Sequence, residues 1–275
     1  MTLASSPMSS PSASSQSASA QSATQITPAL TTHGVNKSFG SLVVARDITI
    51  ALPQGARYAL IGPNGAGKTT LINLITGMLQ PDSGRIQLGG DDITALKPHH
   101  RVKRGLVRTF QINTLFPHLT AIEAVVLSVN ERRGLARNFW SGLTAFPDAV
   151  DEAYAILKSL SLGDAATRLT RELPYGQQRL LEIALALATK PKVLLLDEPA
   201  AGVPRDESAE LFAAIAGLPS DITVLFIEHD MNLVFKFATR IIVLVQGAVL
   251  LEGTPEQIST DPRVREVYLG GAKHG

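Results

Sequence analysis

The segment Gly62-Pro63-Asn64-Gly65-Ala66-Gly67-Lys68-Thr69 fits the pattern G-x-x-x-x-G-K-[ST] and constrains this chain more than any other stretch. The apolar run Tyr58-Ala59-Leu60-Ile61 precedes it, and Thr70-Leu71-Ile72-Asn73-Leu74-Ile75, which reads as a helix, follows. Such a loop cradles phosphate when it joins a strand to a helix in this way. Glycines let backbone N–H groups converge on phosphate oxygens with no side chain in between. The helix N-terminus adds partial positive charge at the same point. Lys68 is expected to reach the β- and γ-phosphates of a nucleotide and the Thr69 hydroxyl to hold Mg²⁺, with Thr70 completing the binding segment. The chain is therefore expected to bind a nucleoside triphosphate and to fold as an α/β protein.

Hydrolysis needs a second group of residues. Val193-Leu194-Leu195-Leu196-Asp197-Glu198 is an apolar run ending in two carboxylates. Its aliphatics are too few for a membrane span and suit a strand buried on both faces. A carboxylate at the C-terminal edge of such a strand lies beside the phosphate loop in open α/β sheets. Asp197 is expected in the Mg²⁺ shell, and Glu198 is expected to polarise the attacking water as general base. Gln111 follows the strand-like Leu106-Val107-Arg108-Thr109-Phe110, and His229 follows the strand-like segment 222–228. Each stands where an open sheet places its ligand contacts.

The order phosphate loop, Gln111, Leu173-Pro174-Tyr175-Gly176-Gln177, Asp197-Glu198, His229 resembles the nucleotide-binding domain of ABC transporters across roughly residues 30–270. The resemblance implies a RecA-like P-loop core with an antiparallel β subdomain and an inserted helical subdomain at about 112–172. It implies ATP and Mg²⁺ as cofactors. Gln111 would join the Mg²⁺ shell and relay to the membrane subunits, His229 would contact the γ-phosphate, and Phe39 would stack on adenine. Tyr175, Gly176 and Gln177 would belong to the signature that closes over ATP held by a partner. The helical run after Gly176 suits this, because a helix N-terminus offers unpaired N–H groups to a phosphate.

Two departures stand out. Pro174 replaces the signature serine, with neither hydroxyl nor backbone N–H; proline is expected in the first turn of the helix. Pro204 stands where most relatives carry an aspartate. Both suggest an asymmetric heterodimer. The finer resemblance is to ATPases of branched-chain (hydrophobic) amino acid importers, through residues 107–111, 175–179, 197–202, 228–231 and the ending Tyr268-Leu269-Gly270. It implies a second ATPase subunit, two membrane permeases and, indirectly, a periplasmic binding protein, with this chain peripheral on the cytoplasmic face of the inner membrane. Related systems carry urea or amides, and a lipid-export ATPase shares the same ending. A non-transport ABC ATPase would want a coiled-coil insert or two nucleotide domains; a GTPase would want Asn-Lys-x-Asp. Neither pattern is present.

Composition agrees. The 275 residues are 45% hydrophobic, enough for a sizeable core, and carry a net charge of +1, so nucleic acid is not an expected partner. There is no cysteine, which excludes disulfides and thiolate metal sites. No apolar run approaches the ~18 residues of a membrane helix. The longest, residues 241–251, is broken by Gln246-Gly247 and reads as a hairpin. Residues 1–28 are rich in Ser, Ala, Gln, Thr and Pro, without the basic region or apolar core of a secretory signal, and are expected to be a disordered tail. Residues 29–275 are expected to form the nucleotide-binding domain. Residues 34–62 read as short strands, 81–84 as a turn, and the segment from Thr254 as a small helical end. Leu115-Phe116-Pro117 is a candidate permease dock. Trp140, in an insert at 132–146, is expected to pack in the core.

Overall fold

The computed structural model describes residues 1–2, 27–109, 115–135 and 146–269. Gln111, Phe110, Trp140 and Gly270 lie outside them, as does most of the expected tail. A six-stranded sheet forms the centre, in the order β10-β9-β3-β8-β7-β6. Its strands are β3 (Arg57–Ile61), β6 (Leu106–Arg108), β7 (Val193–Asp197), β8 (Thr223–Ile227), β9 (Arg240–Val245) and β10 (Ala248–Gly253). All neighbours are parallel except the edge strand β10, which pairs antiparallel with β9.

The parallel strands read as unbroken apolar runs because both faces are covered. Alternate residues point to opposite faces. Ala59, Ile61, Leu194, Leu196, Val224, Phe226, Ile241 and Val243 enter one core with the helices α3 (Ala121–Arg132), α4 (Pro147–Ser159), α5 (Tyr175–Ala188) and α6 (Arg205–Ala216). Tyr58, Leu60, Val193, Leu195, Leu225, Ile227, Ile242 and Leu244 enter a second core. There they meet Leu71, Ile72, Leu74 and Ile75 of α1 (Lys68–Thr76) and the inner face of a small antiparallel sheet.

That sheet has the order β2-β1-β4-β5, with β1 Leu30–Phe39, β2 Leu42–Leu52, β4 Ser83–Leu88 and β5 Asp91–Asp92. Residues 42–52 form one strand of 11 residues, not several short ones. The register against β1 shifts between Val35 and Lys37, and Asp47 takes a left-handed φ of 49°. This irregularity breaks the alternation that would have marked a single strand. The expected turn at 81–84 is shorter than read, because β4 begins at Ser83. Gly77 caps the end of α1 in a left-handed conformation.

Between β6 and α5 the described residues are helical or turn-like. Thr120 opens α3 with a reciprocal cap to Glu123. Ser128 of α3 donates to the Leu185 carbonyl of α5 at 3.0 Å. Leu115 packs on the core while Phe116 is exposed. The C-terminal part is α7 (Met231–Phe237), α8 (Pro255–Thr260), capped by Thr254, and α9 (Pro262–Leu269). Among the described residues no helix is long and apolar enough to cross a membrane.

Candidate functional site

The phosphate loop leaves the C-terminal end of β3 and enters α1 at Lys68. Gly67 is the N-cap residue, with φ 100°, and a Cβ there would lie 2.8 Å from the Val44 carbonyl. No other residue would fit both demands. The Lys68 ammonium is buried and donates to the carbonyls of Gly62 (2.7 Å) and Pro63 (3.2 Å). Burial lowers its pKa, and the charges of Glu198 and Asp197 oppose that shift. The cation is thus held inside the loop, facing two carboxylates.

A 460 Å³ cavity spans this loop, lined by Asn64–Thr70, Glu198, His229 and the β1–β2 hairpin residues Leu42, Val43 and Val44. Phe39 is exposed beside the turn of that hairpin, under Lys37, and is not itself part of the lining. The apolar lining residues Leu42 and Val43 were missed by sequence reasoning, since exposed Leu and Val carry no motif. A larger groove of 890 Å³ lies at the other edge of the sheet, where Gln54, Lys192 and Ile222 precede the strands. It is remote from every motif, and the smaller cavity is the one that holds chemistry.

Glu198 follows the end of β7 with a left-handed φ of 49°. For a non-glycine residue this costs about 1 kcal/mol or more and needs support from its surroundings. The support is visible. Its N–H donates to the Ile227 carbonyl at 3.0 Å, and its carbonyl accepts from Ala201 at 3.0 Å. Its Oε1 meets Nε2 of His229 at 2.9 Å. The structure therefore brings the expected base and the expected histidine together, each about half exposed to the cavity. Asp197, one residue earlier, accepts from Nη2 of Arg108 at 2.5 Å, and Nη1 of Arg108 donates to Asn73 at 2.9 Å.

Glu228 completes the arrangement from below. It is 6% exposed. Its Oε1 accepts from the Ala200 N–H at 2.9 Å and its Oε2 from the His229 N–H at 3.0 Å. Sequence reasoning took Glu228 as part of a strand and gave it no role.

The Mg²⁺ expectation can be tested against the donors present. No group of three or more His, Cys, Asp or Glu among the described residues could hold a metal ion. Thr69 lines the cavity, and Asp197, at the end of β7, acts by its charge on Lys68 of the same loop, so two oxygen-bearing side chains are offered. That set fits a hard cation that keeps waters and brings phosphate oxygens as further ligands, as Mg²⁺ does.

The signature segment lies at the start of α5. Pro174 is the N-cap, with φ −52° and ψ 154°, so it precedes the first turn instead of occupying it. The helix begins at Tyr175, and its N-terminus gains an acceptor from elsewhere: Gly176 N–H donates to Oε2 of Glu207 at 3.2 Å. Pro204 is likewise the N-cap of α6, with φ −55° and ψ 149°. Tyr175 donates to the Ala201 carbonyl at 3.1 Å, which ties the signature to the loop after Glu198. Oε1 of Gln177 is buried without a partner.

Two further contacts hold the phosphate loop. The β9–β10 turn, Gln246-Gly247, has both φ values positive, the form that fits a two-residue hairpin. Gly247 N–H donates to the Ala66 carbonyl at 2.9 Å, and Arg46 N–H donates to the Gly247 carbonyl at 2.7 Å. Tyr268 of α9 accepts from the Gly62 N–H, and burial pushes its phenol up to about 12. Tyr268 thus meets the loop it follows by some two hundred residues.

Comparison with known proteins agrees with this geometry. The family described as "ABC transporter" matches residues 45–201, and that described as "Branched-chain amino acid ATP-binding cassette transporter" matches residues 248–274. The high-affinity branched-chain amino acid transport ATP-binding protein BraF of Pseudomonas aeruginosa is 42% identical over 254 residues, spanning 89% of this chain and 99% of the relative. LivG of Escherichia coli, with the same description, is 40% identical over the same shares. The ADP conformation of MJ1267, an ATP-binding cassette of an ABC transporter, superposes with a TM-score of 0.78 at 33% identity, covering 88% of this chain and 99% of that one. With its phosphate loop, its paired Glu198 and His229 and its two-sheet architecture, this chain belongs to the ATP-binding subunits of the ABC transporter family, ATPases coupled to transport.

Proposed function

We propose that this chain hydrolyses ATP to energise an importer of branched-chain amino acids, as one of two ATPase subunits beneath a pair of permeases. The observation that carries the catalytic reading is the 2.9 Å contact between Glu198 and His229 at the mouth of the phosphate-loop cavity. Glu198 takes the proton of the attacking water, and His229 fixes the carboxylate's direction and faces the terminal phosphate. Lys68 exchanges its two loop carbonyls for the β- and γ-phosphates, to which it then donates. Thr69 and Asp197 would hold Mg²⁺, which would supply charge neutralisation on the phosphate oxygens when bound. Gln111, which lies outside the described residues, joins the Mg²⁺ shell on the family resemblance alone. Phe39, with Leu42 and Val43, offers the adenine an apolar edge.

The signature residues Tyr175, Gly176 and Gln177 act on the nucleotide of a partner ATPase, so turnover requires two chains. The solute reading rests on the descriptions of the relatives and on the C-terminal family match. On this proposal the chain works at the cytoplasmic face of the inner membrane, with a periplasmic binding protein across the bilayer.

The chemistry is tested by Glu198→Gln, which keeps shape and removes the base. ATP affinity should hold within about twofold while turnover falls about a hundredfold or more. Full activity would overturn the assignment. The transport reading is tested by tagging the chain and purifying it from mildly solubilised membranes. Two dissimilar permeases with a second ATPase support it, and a lipid-export permease pair would reverse the direction.

A further inference from the structure

We infer that Glu228 is a positioning residue that sets the distance between Glu198 and His229, and that it does so by holding two backbone segments with one buried carboxylate. The inference rests on the catalytic reading of Glu198 and His229. Its geometry is independent of that reading.

Five links close a ring. Glu198 leads through Pro199 to Ala200, whose N–H donates to Oε1 of Glu228 at 2.9 Å. Oε2 of Glu228 accepts from the His229 N–H at 3.0 Å. The His229 ring returns to Oε1 of Glu198 at 2.9 Å. Each of the two reacting side chains is therefore tied to the same buried group through its own backbone. The strained φ of Glu198 makes the tie necessary, because a residue at 49° relaxes unless the chain on both sides is held. On one side the hold is Ile227, whose carbonyl takes the Glu198 N–H. On the other side it is Glu228.

A carboxylate is the side chain the position requires. Two backbone N–H donors face it from different loops, and only an ionised carboxylate accepts at both oxygens. An amide of the same shape would aim its NH₂ at one of those donors. A neutral acceptor such as Ser or Thr, common in size for a strand end, cannot span both. Loss of either bond frees the Ala200 or His229 backbone, and small errors in the placement of a reacting group lower rate more than affinity.

Glu228→Gln in the full chain, assembled with its partners, is the test. Turnover should drop about tenfold, the equivalent of one lost hydrogen bond, with the KM for ATP within about twofold. In a His229→Ala background the same change should lower the residual rate by less than about twofold, because the pair it positions is already broken. A full, multiplicative loss in that background would overturn the proposal, as would a raised KM with unchanged turnover. Amide exchange on the unaltered chain gives a second reading. The Ala200 and His229 N–H groups should exchange slowly in the nucleotide-free state, and fast exchange at either would overturn it equally. Failure of the catalytic reading looks different: Glu198→Gln would then turn over normally whatever Glu228 does.

Discussion

Glu207, in the first turn of α6, accepts a hydrogen bond at 3.2 Å from the backbone N–H of Gly176, in the first turn of α5. One carboxylate thereby serves two helix N-termini, both of which start from a proline that offers no capping side chain. The contact depends on the missing side chain at 176, since a Cβ there would lie 2.3 Å from the Glu207 oxygen. Glu207→Ala is expected to lower stability by about 1 kcal/mol, as a lost cap does. Gly176→Ala should cost a similar amount by pushing the carboxylate away. The double variant should cost little more than either alone, which urea unfolding of the three variants will show.

Pro174 predicts a gain of function. Pro174→Ser would add a hydroxyl at the N-cap, able to accept from the first turn and to donate to a phosphate held by a partner chain. One such donor is worth about 3 kcal/mol of transition-state stabilisation where it is lost. Turnover of the assembled ATPase should rise with serine at 174. Equal or lower turnover would show that the proline does not limit the composite site that uses this signature.

Arg101 is 1% exposed and binds only carbonyls: Leu74 at 2.8 Å, Ile75 at 2.6 Å, Thr94 at 2.7 Å and Leu96 at 3.0 Å. Burial lowers its pKa to about 10, so it remains charged at neutral pH. Two of those carbonyls end α1, where a cation is favoured by the helix dipole. Arg101→Met should cost about 3 kcal/mol by leaving buried acceptors unpaired. ATP affinity should fall with stability, because α1 carries Lys68 and Thr69. Thermal unfolding with and without ATP separates the two effects.

Glu152 predicts an acid-side transition. Hydrogen bonds from Arg132 hold its carboxyl at about 2, against burial, with help from Arg133, where an unperturbed glutamate titrates at 4.5. A depressed folded pKa contributes stability that is fully present above 4.5 and is lost as pH falls towards 2. The difference in unfolding free energy between the chain and its Glu152→Gln variant should be constant above about pH 5 and shrink below it. A difference that grows on acidification would reverse the sign and exclude this role.

Much of the site was legible before the structure because its parts are local. The phosphate loop, Asp197-Glu198 and the Gln246-Gly247 turn each announce themselves within a few residues. His229 was legible only through its place after a strand. Glu207, Glu228, Arg101 and Arg108 were not legible, although each touches the site or its supports. They are ordinary residue types whose partners lie many positions away, such as Gly176 for Glu207 and Leu74 for Arg101. Strand β2 was misread for a related reason. The bulge at Asp47 shifts the pattern by one residue, and alternation is all that a sequence offers there.

The turn at Gly247 has one amide on the phosphate loop and one carbonyl on β2. Its length is therefore fixed from two sides. A single inserted residue would draw the N–H away from Ala66 and the carbonyl away from Arg46 in the same step. The hairpin is exposed at its tip and invites the placement of tags or fluorescent reporters, yet it works as a rivet between the two sheets, and a chain altered there would lose the seat of its nucleotide before it lost its fold.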